Sequence, residues 1–263
     1  MDSGLEYSPV LIGTIASLVA GLATAVGALP IYVVRHVSDQ VQDVMLGFAA
    51  GVMLAASFFS LILPGLGVAE AQGASRIGAV TLVTAGILLG AASLWLIHRY
   101  VPHEHFILGR EGPQTERFGR IWLFVIAITL HNVPEGLAVG VGFGGGDIAN
   151  GVPLAIGIGI QNMPEGLAVA VALLTLGYSK AEALGIATLT GLVEPVGGLI
   201  GAGAVSLAES LLPWGLAFAA GAMIFVISDE IIPETHRRGL ENHATAGLML
   251  GLVLMIYLDV ALG

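Results

Sequence analysis

The chain has 263 residues, of which 56% are apolar and only 11% are charged, and its formal net charge is −10. A soluble domain carries about a quarter charged residues, so this composition excludes a water-soluble enzyme or DNA-binding module. The negative charge also excludes nucleic acid as a partner, and the absence of cysteine excludes disulfides, thiolate metal sites and cysteine nucleophiles. The composition therefore indicates a helical protein that crosses a lipid bilayer several times.

Eight apolar runs are long enough to cross a bilayer, for which a helix needs about 20 residues. We number them spans 1 to 8 and predict them at 8–34, 44–69, 77–98, 121–146, 148–179, 183–208, 210–228 and 244–262. A polar loop at about 99–120 separates spans 3 and 4. The fold class is thus all-α, with residues 1–263 forming a single transmembrane domain.

The basic residues indicate how the spans are oriented. Only one follows an even-numbered span, Arg76; the others follow odd-numbered spans, at Arg35, Arg99, Arg110, Arg117, Arg120, Lys180, Arg237 and Arg238. Because cytoplasmic loops carry the excess of Lys and Arg, this distribution places both termini on the extracytoplasmic side.

Two internal repeats relate parts of the chain. His131-Asn-Val-Pro-Glu-Gly-Leu-Ala-Val in span 4 matches Gln161-Asn-Met-Pro-Glu-Gly-Leu-Ala-Val in span 5. Gly47-Phe-Ala-Ala-Gly-Val-Met in span 2 resembles Ala217-Phe-Ala-Ala-Gly-Ala-Met in span 7, which runs in the opposite direction. Spans 1–3 and 6–8 are therefore predicted to form an inverted repeat, a feature of transporters. The alternative is that small-residue helix packing produced the second match by chance.

Spans 4, 5 and 6 contain polar side chains at membrane depth, where charges are costly and usually functional. His131 and Glu135 are four residues apart and share one helix face, and Gln161 and Glu165 repeat that spacing. The neighbouring members of this group are Asn132, Asn162 and Glu194. Two facing helices would bring these groups to one point. The alternative interpretation is an ordinary structural hydrogen bond between a histidine and a glutamate.

Prolines in the same motifs indicate a cation site. Pro134 and Pro164 cannot donate hydrogen bonds, so the carbonyl groups of Leu130 and Ile160 lose their helical partners. In lipid such carbonyls need water, a side chain or an ion. Nitrogen and oxygen ligands without thiolate suit Zn²⁺, Fe²⁺, Mn²⁺ or Cd²⁺ rather than Cu⁺.

The paired motifs and the Gly-Leu-Val-Glu194-Pro segment of span 6 resemble the ZIP (Zrt-, Irt-like) family of divalent-metal transporters, and Pro-His103-Glu-His105 resembles its bacterial members. The resemblance covers essentially the whole chain. It implies a 3+2+3 arrangement of eight spans, location in the bacterial inner membrane and a homodimer. It further implies Zn²⁺ or a similar ion as the transported substrate, with no cofactor acting as a catalyst.

The resemblance also assigns two metal sites that share Glu135 and Glu165. The first site would consist of these two glutamates with His131 and Gln161. The second would add the remaining polar residues of the motifs, Asn132, Asn162 and Glu194. Because bacterial relatives can carry aspartate in place of Asn162, the second site here has one negative charge fewer, and the first site is expected to bind more tightly.

Several residues outside this centre are candidates for a pathway. On the cytoplasmic side, a relay accepting the released ion would use Asp43, His103, His105, Asp229, Glu230 and His236. Within span 2 the resemblance implies that Met53 and Ser60 face the path. The alternatives are a solvated loop for the relay and ordinary packing for Met53. Glycine pairs at 47/51, 197/201 and 247/251 permit close helix contact, either within the chain or in a dimer.

The preferred functional interpretation is a carrier that moves divalent ions into the cytoplasm by alternating access between spans 4, 5 and 6. No nucleotide-binding motif is present, so ATP does not drive it directly. The alternative is an intramembrane metalloenzyme such as a hydrolase, which needs a metal-bound water and a general base. The chain lacks the second histidine of an HExxH motif, and the symmetry of the two motifs has no catalytic purpose.

Overall fold

A computed structural model of the chain describes residues 8–34, 37–101, 103–105, 109–111, 120–235 and 239–262. Helices form all eight predicted spans. The α-helical segments are Pro9–Ala28, Asp39–Ala55, Leu63–Ala71, Arg76–Tyr100, Arg120–Gly144, Ile148–Thr175, Lys180–Gly191, Glu194–Leu207, Leu212–Val226, Ile232–Thr235 and Glu241–Leu262. Short 3₁₀ segments lie at Leu29–Tyr32 and Glu209–Leu211. The predicted all-helical membrane fold is confirmed.

Seven of the spans in the described part of the chain are long and apolar enough to cross a membrane. They are Pro9–Tyr32, Asp39–Ala71, Arg76–Tyr100, Ile148–Thr175, Lys180–Leu207, Glu209–Thr235 and Glu241–Leu262. Span 4 is the 25-residue helix Arg120–Gly144, which contains Pro134 without interruption. Span 2 begins five residues before its predicted start, because Ser38 caps the helix by accepting a hydrogen bond from the Val41 amide.

Glycines in the left-handed region form the turns between several spans. Gly73, Gly146, Gly177 and Gly239 have φ values between 73° and 95°, which side chains disfavour. They follow spans 2, 4, 5 and 7 respectively. At Gly73, Gly146 and Gly177 the chain turns directly into the next helix.

Proline residues coincide with the irregular parts of the spans. Span 6 is interrupted between Gly191 and Glu194, and Pro195 occupies the first turn of its second half, as the Glu-Pro sequence predicts. Spans 2 and 7 each contain a π-helical segment, Ala56–Ile62 and Ile227–Ile231, shortly before a proline. Such π segments are frequent at functional sites.

The loop between spans 3 and 4 adds a feature that the sequence did not predict. Strands β1 (His103–His105) and β2 (Gly109–Glu111) pair antiparallel, with His105 opposite Gly109. The hairpin packs against span 4. It is the only sheet in the part of the chain that the structure describes.

The packing of the spans follows the predicted inverted repeat. Span 2 packs on span 8 as span 7 packs on span 3, and span 1 packs on span 5 as span 6 packs on span 4. Individual contacts also correspond: a Cβ atom on Gly51 or Gly221 would lie 2.0 Å from the carbonyl oxygen of Leu248 or Ile87 respectively. Because successive spans alternate in direction, spans 2 and 7 run oppositely.

These contacts divide the spans into two packed groups. Spans 1, 4, 5 and 6 form the first group, and spans 2, 3, 7 and 8 form the second. Spans 2 and 5, spans 4 and 7, and spans 5 and 8 join the two groups. The glycines at 47, 51, 197, 201, 247 and 251 all approach the backbone of another span of the same chain. Their spacing therefore serves internal packing.

Candidate metal centre

The two repeated motifs bring spans 4 and 5 into direct contact at Glu135 and Gln161. Both side chains are fully buried, and the Gln161 amide Nε2 donates a hydrogen bond of 2.7 Å to Glu135 Oε1. Glu165, one turn after Gln161, lies within electrostatic range of both Glu135 and Glu194. The three carboxylates of spans 4, 5 and 6 therefore interact electrostatically with one another.

Span 6 completes the cluster through Glu194, which opens its second half. Asn162 Nδ2 donates to Glu194 Oε1 at 2.6 Å and to the Ala20 carbonyl oxygen of span 1 at 2.9 Å. Glu194 is fully buried, and Asn162 and Asn132 are each 1% exposed. The interruption of span 6 places this carboxylate at the start of a helix, inside the first group of spans.

Two glycines let the backbones approach closely around the cluster. A Cβ atom on Gly136 would lie 2.1 Å from the carbonyl oxygen of Glu194, and one on Gly166 would lie 2.0 Å from that of Thr24. Both glycines follow a glutamate of the motif directly. The residue after each glutamate must therefore lack a side chain for the helices to meet.

Six buried polar atoms of the cluster have no hydrogen-bond partner among the described residues. Five are oxygens, one on each of Glu135, Gln161, Asn162, Glu165 and Glu194, and the sixth is Asn132 Nδ2. An unsatisfied buried polar atom costs about 1–3 kcal/mol, and more for a charged group. Oxygens gathered without donors form a suitable environment for a cation.

The side-chain amides of Gln161 and Asn162 occupy part of the space between the carboxylates. In the described residues, no three His, Asp or Glu side chains stand close enough to hold an ion in the observed positions. Gln161 and Asn162 each donate to a carboxylate through nitrogen and leave their amide oxygens without partners. Rotation of these amides would turn an oxygen instead of an N–H group towards an ion.

Comparison with known proteins gives the same family as the motifs. The family model described as ZIP zinc transporter matches residues 102–259. The chain belongs to the ZIP family. It is 49% identical over 95% of its length to zinc transporter GufA of Myxococcus xanthus, of which 99% is covered. It is 50% identical over 92% of its length to zinc transporter ZIPB of Bordetella bronchiseptica, with 78% covered.

A more distant relative has the same kind of name. Zinc transporter ZIP11 of Homo sapiens is 36% identical to this ZIP chain. The alignment spans 91% of this chain and 94% of that protein. All three relatives are named as transporters, and none as an enzyme. ZIP membership therefore favours the carrier over the intramembrane metalloenzyme.

His131, the remaining predicted ligand of the ZIP chain, contacts span 7. Its Nε2 atom pairs with Glu230 Oε2, and its side chain is 16% exposed, more than the other ligand candidates of span 4. Glu230 lies in the π-helical segment of span 7 and is 3% exposed. The imidazole thus connects the first group of spans to the second.

Glu230 also contacts His98, a residue that the sequence did not identify as a candidate. His98, at the end of span 3, is 4% exposed, and its Nε2 lies 3.0 Å from Glu230 Oε1. Its Nδ1 atom lies 3.6 Å from Asp229 Oδ2. A histidine inside an apolar span was the available signal, but that run was selected by its lack of Asp, Glu, Lys and Arg. His131, Glu230, His98 and Asp229 form a continuous chain of polar groups.

The other predicted pathway residues have varied surroundings. Met53 and Asp43 are each 1% exposed, and Ser60 is fully buried and donates to Asp259 Oδ1 at 2.6 Å. The backbone of His103 and His105 lies in strand β1. His236 lies outside the described residues.

Proposed function

We propose that this ZIP chain transports Zn²⁺, or a similar divalent cation, through the membrane into the cytoplasm. The observation that carries the proposal is the set of buried, unpartnered oxygens on spans 4, 5 and 6. The names of its relatives support zinc as the ion. Nitrogen and oxygen donors without thiolate also accommodate Fe²⁺, Mn²⁺ and Cd²⁺.

Two overlapping sites account for the ligand candidates. The first uses His131, Glu135, Gln161 and Glu165. The second shares both glutamates and adds Asn132, Asn162 and Glu194. A divalent ion between the carboxylates offsets their mutual repulsion and satisfies oxygens that otherwise lack partners. Because Asn162 is neutral, the second ion meets the charge of the first with one compensating carboxylate fewer, so the first site binds more tightly.

Transport by alternating access is supported by the two packed groups of spans. Every ligand candidate lies on spans 4, 5 and 6, which belong to the first group. The contacts between the groups lie mainly between spans 2 and 5, spans 4 and 7, and spans 5 and 8. Movement of the first group against the second would therefore carry the ion without dismantling its ligands.

Inward movement and inner-membrane location complete the proposal. The distribution of basic residues supports cytoplasmic loops after the odd-numbered spans and both termini outside. The polar chain from His131 through Glu230 and His98 to Asp229 leads towards the same cytoplasmic side. These groups offer an ion oxygen and nitrogen partners on its way out of the site.

Uptake of radioactive zinc into proteoliposomes tests the proposal. Glu165→Ala removes a carboxylate shared by both sites and should abolish uptake, because the remaining groups no longer compensate the ion's dehydration. The matched control, Glu70→Ala, removes an exposed glutamate near the end of span 2 and should retain uptake. Uptake by Glu165→Ala at the wild-type rate would refute the site, and absence of uptake by the wild type would refute transport.

A further inference from the structure

A hydrogen bond between the two groups of spans lies far from the ligand residues. Asn150, in the first turn of span 5, donates through Nδ2 to the Ser60 carbonyl oxygen of span 2 at 3.2 Å. Asn150 does not use its side chain to cap its own helix, since its backbone amide bonds Asp147 Oδ1. The side-chain amide of Asn150 therefore bonds span 2 of the second group.

The sequence of span 2 removes the α-helical hydrogen-bond donor that the Ser60 carbonyl would otherwise have. Pro64 stands four residues after Ser60, where an α-helix would supply the N–H donor, and proline has none. The Ser60 hydroxyl is held in turn by Asp259 of span 8, at 2.6 Å. Ser60 is thus fixed within the second group and presents its carbonyl to the first.

The residues that follow Asn150 connect this contact to the metal centre. Leu154 and Ile158 lie one and two turns further along span 5, on the same face, and both are fully buried. Gln161 comes next on that face, about 16 Å along the helix from Asn150. The contact therefore stands at the outer end of a closed, apolar stretch above the site.

The inverted repeat supplies a counterpart on the other side. By the correspondence of spans 2 and 7, Ser60 matches Glu230, which bonds His131 of the first group and His98 of the second. Each position thus joins both groups, one towards each side of the membrane.

We propose that the hydrogen bond from Asn150 to the Ser60 carbonyl is a latch that keeps the outer side of the pathway closed. The proposal rests on the transport function above. When the latch opens, spans 2 and 5 separate at their outer ends, and the face bearing Leu154 and Ile158 becomes accessible from outside. Asn150 acts as a positioning residue, since the ion need not contact it.

Cysteine labelling in intact cells tests the latch, because the chain has no native cysteine. The parent protein carries Ile158→Cys and reacts with a membrane-impermeant maleimide added outside. Adding Asn150→Ala should raise the labelling rate about three- to tenfold, the population shift that follows from losing one such hydrogen bond. Asn150→Asp preserves the size but has no N–H group, and should do the same.

Gln72→Ala is the matched control. Gln72 also donates a side-chain amide to a backbone carbonyl, that of Glu209 at 2.9 Å, but both residues belong to the second group. This variant should label at the parent rate. A parent rate in Asn150→Ala or Asn150→Asp, or an equal increase in Gln72→Ala, would overturn the latch. Labelling requires no transport, so a response to Asn150→Ala in a protein without zinc uptake would refute the transport function and leave the latch standing.

Discussion

Replacing Gly136 by alanine tests whether the close approach of spans 4 and 6 shapes the metal centre. The added Cβ atom would lie 2.1 Å from the Glu194 carbonyl oxygen, 2.6 Å from its Cα atom and 2.7 Å from its carbonyl carbon. All three are backbone atoms, so no side-chain rotation relieves the clash. Gly159→Ala is the matched control on span 5, since its Cβ would meet Ala20 Cα at 3.7 Å and Ala23 Cβ at 4.0 Å, both ordinary contacts.

The expected magnitudes follow from these distances. Carbon and oxygen atoms in ordinary contact are about 3.5 Å apart, about 1.4 Å more than the 2.1 Å to the Glu194 oxygen, so spans 4 and 6 must separate in Gly136→Ala. Overpacking of this kind costs about 1–3 kcal/mol. Metal–ligand distances tolerate only about 0.2 Å, and the displaced backbone carries Glu135, the shared ligand directly before Gly136, so the cluster binds zinc at least about tenfold more weakly. Gly159→Ala keeps the contacts and gains up to about 1 kcal/mol of helix propensity.

Thermal unfolding in detergent and zinc binding by equilibrium dialysis measure both effects. Gly136→Ala should unfold at a lower temperature and bind zinc more weakly than the wild type. Gly159→Ala should match or exceed the wild-type unfolding temperature and bind zinc normally. Equal unfolding temperatures and equal zinc affinities for the two variants would refute the role given to the close approach.

Two further predictions concern the number of bound ions and the orientation. Asn162→Asp supplies the carboxylate that the second site lacks and should raise the stoichiometry measured by equilibrium dialysis from one zinc towards two, because ligand charge raises cation affinity; two ions in both proteins would contradict this argument. A cysteine at Gly145 should react with impermeant maleimide outside intact cells and one at Gln114 should not. The reverse pattern would overturn the orientation and, with it, the inward direction.

The spans could be predicted because a helix that crosses a bilayer needs about 20 consecutive apolar residues, which are visible in the sequence itself. Their ends were less accurate: span 2 extends back to Asp39, since its first turns are polar yet helical and capped by Ser38. Neither the π-helical segments in spans 2 and 7 nor the hairpin after span 3 was predicted from the sequence. Hydrophobic periodicity distinguishes helices from strands but does not separate π-helical from α-helical turns.

The centre was predictable to the extent that it repeats within the sequence. Glu135 and Gln161 meet as the two matching motifs indicate. The partner of His131 was not predictable, because Glu230 lies 99 residues away and its position depends on the packing of span 7. The repeat in spans 2 and 7 could have identified this position. When the two spans are aligned, Ser60 corresponds to Glu230, so the two residues occupy equivalent positions.

The most direct test of the metal centre is an anomalous difference map from crystals of the zinc-bound protein, recorded at the zinc absorption edge. We expect the strongest peak between spans 4 and 5, about 2.0–2.2 Å from oxygens of Glu135 and Glu165 and from a nitrogen of His131, with the Gln161 amide oxygen turned towards it. A strongest peak elsewhere, or zinc-saturated protein without a peak among these residues, would contradict the assignment of the ion to this cluster.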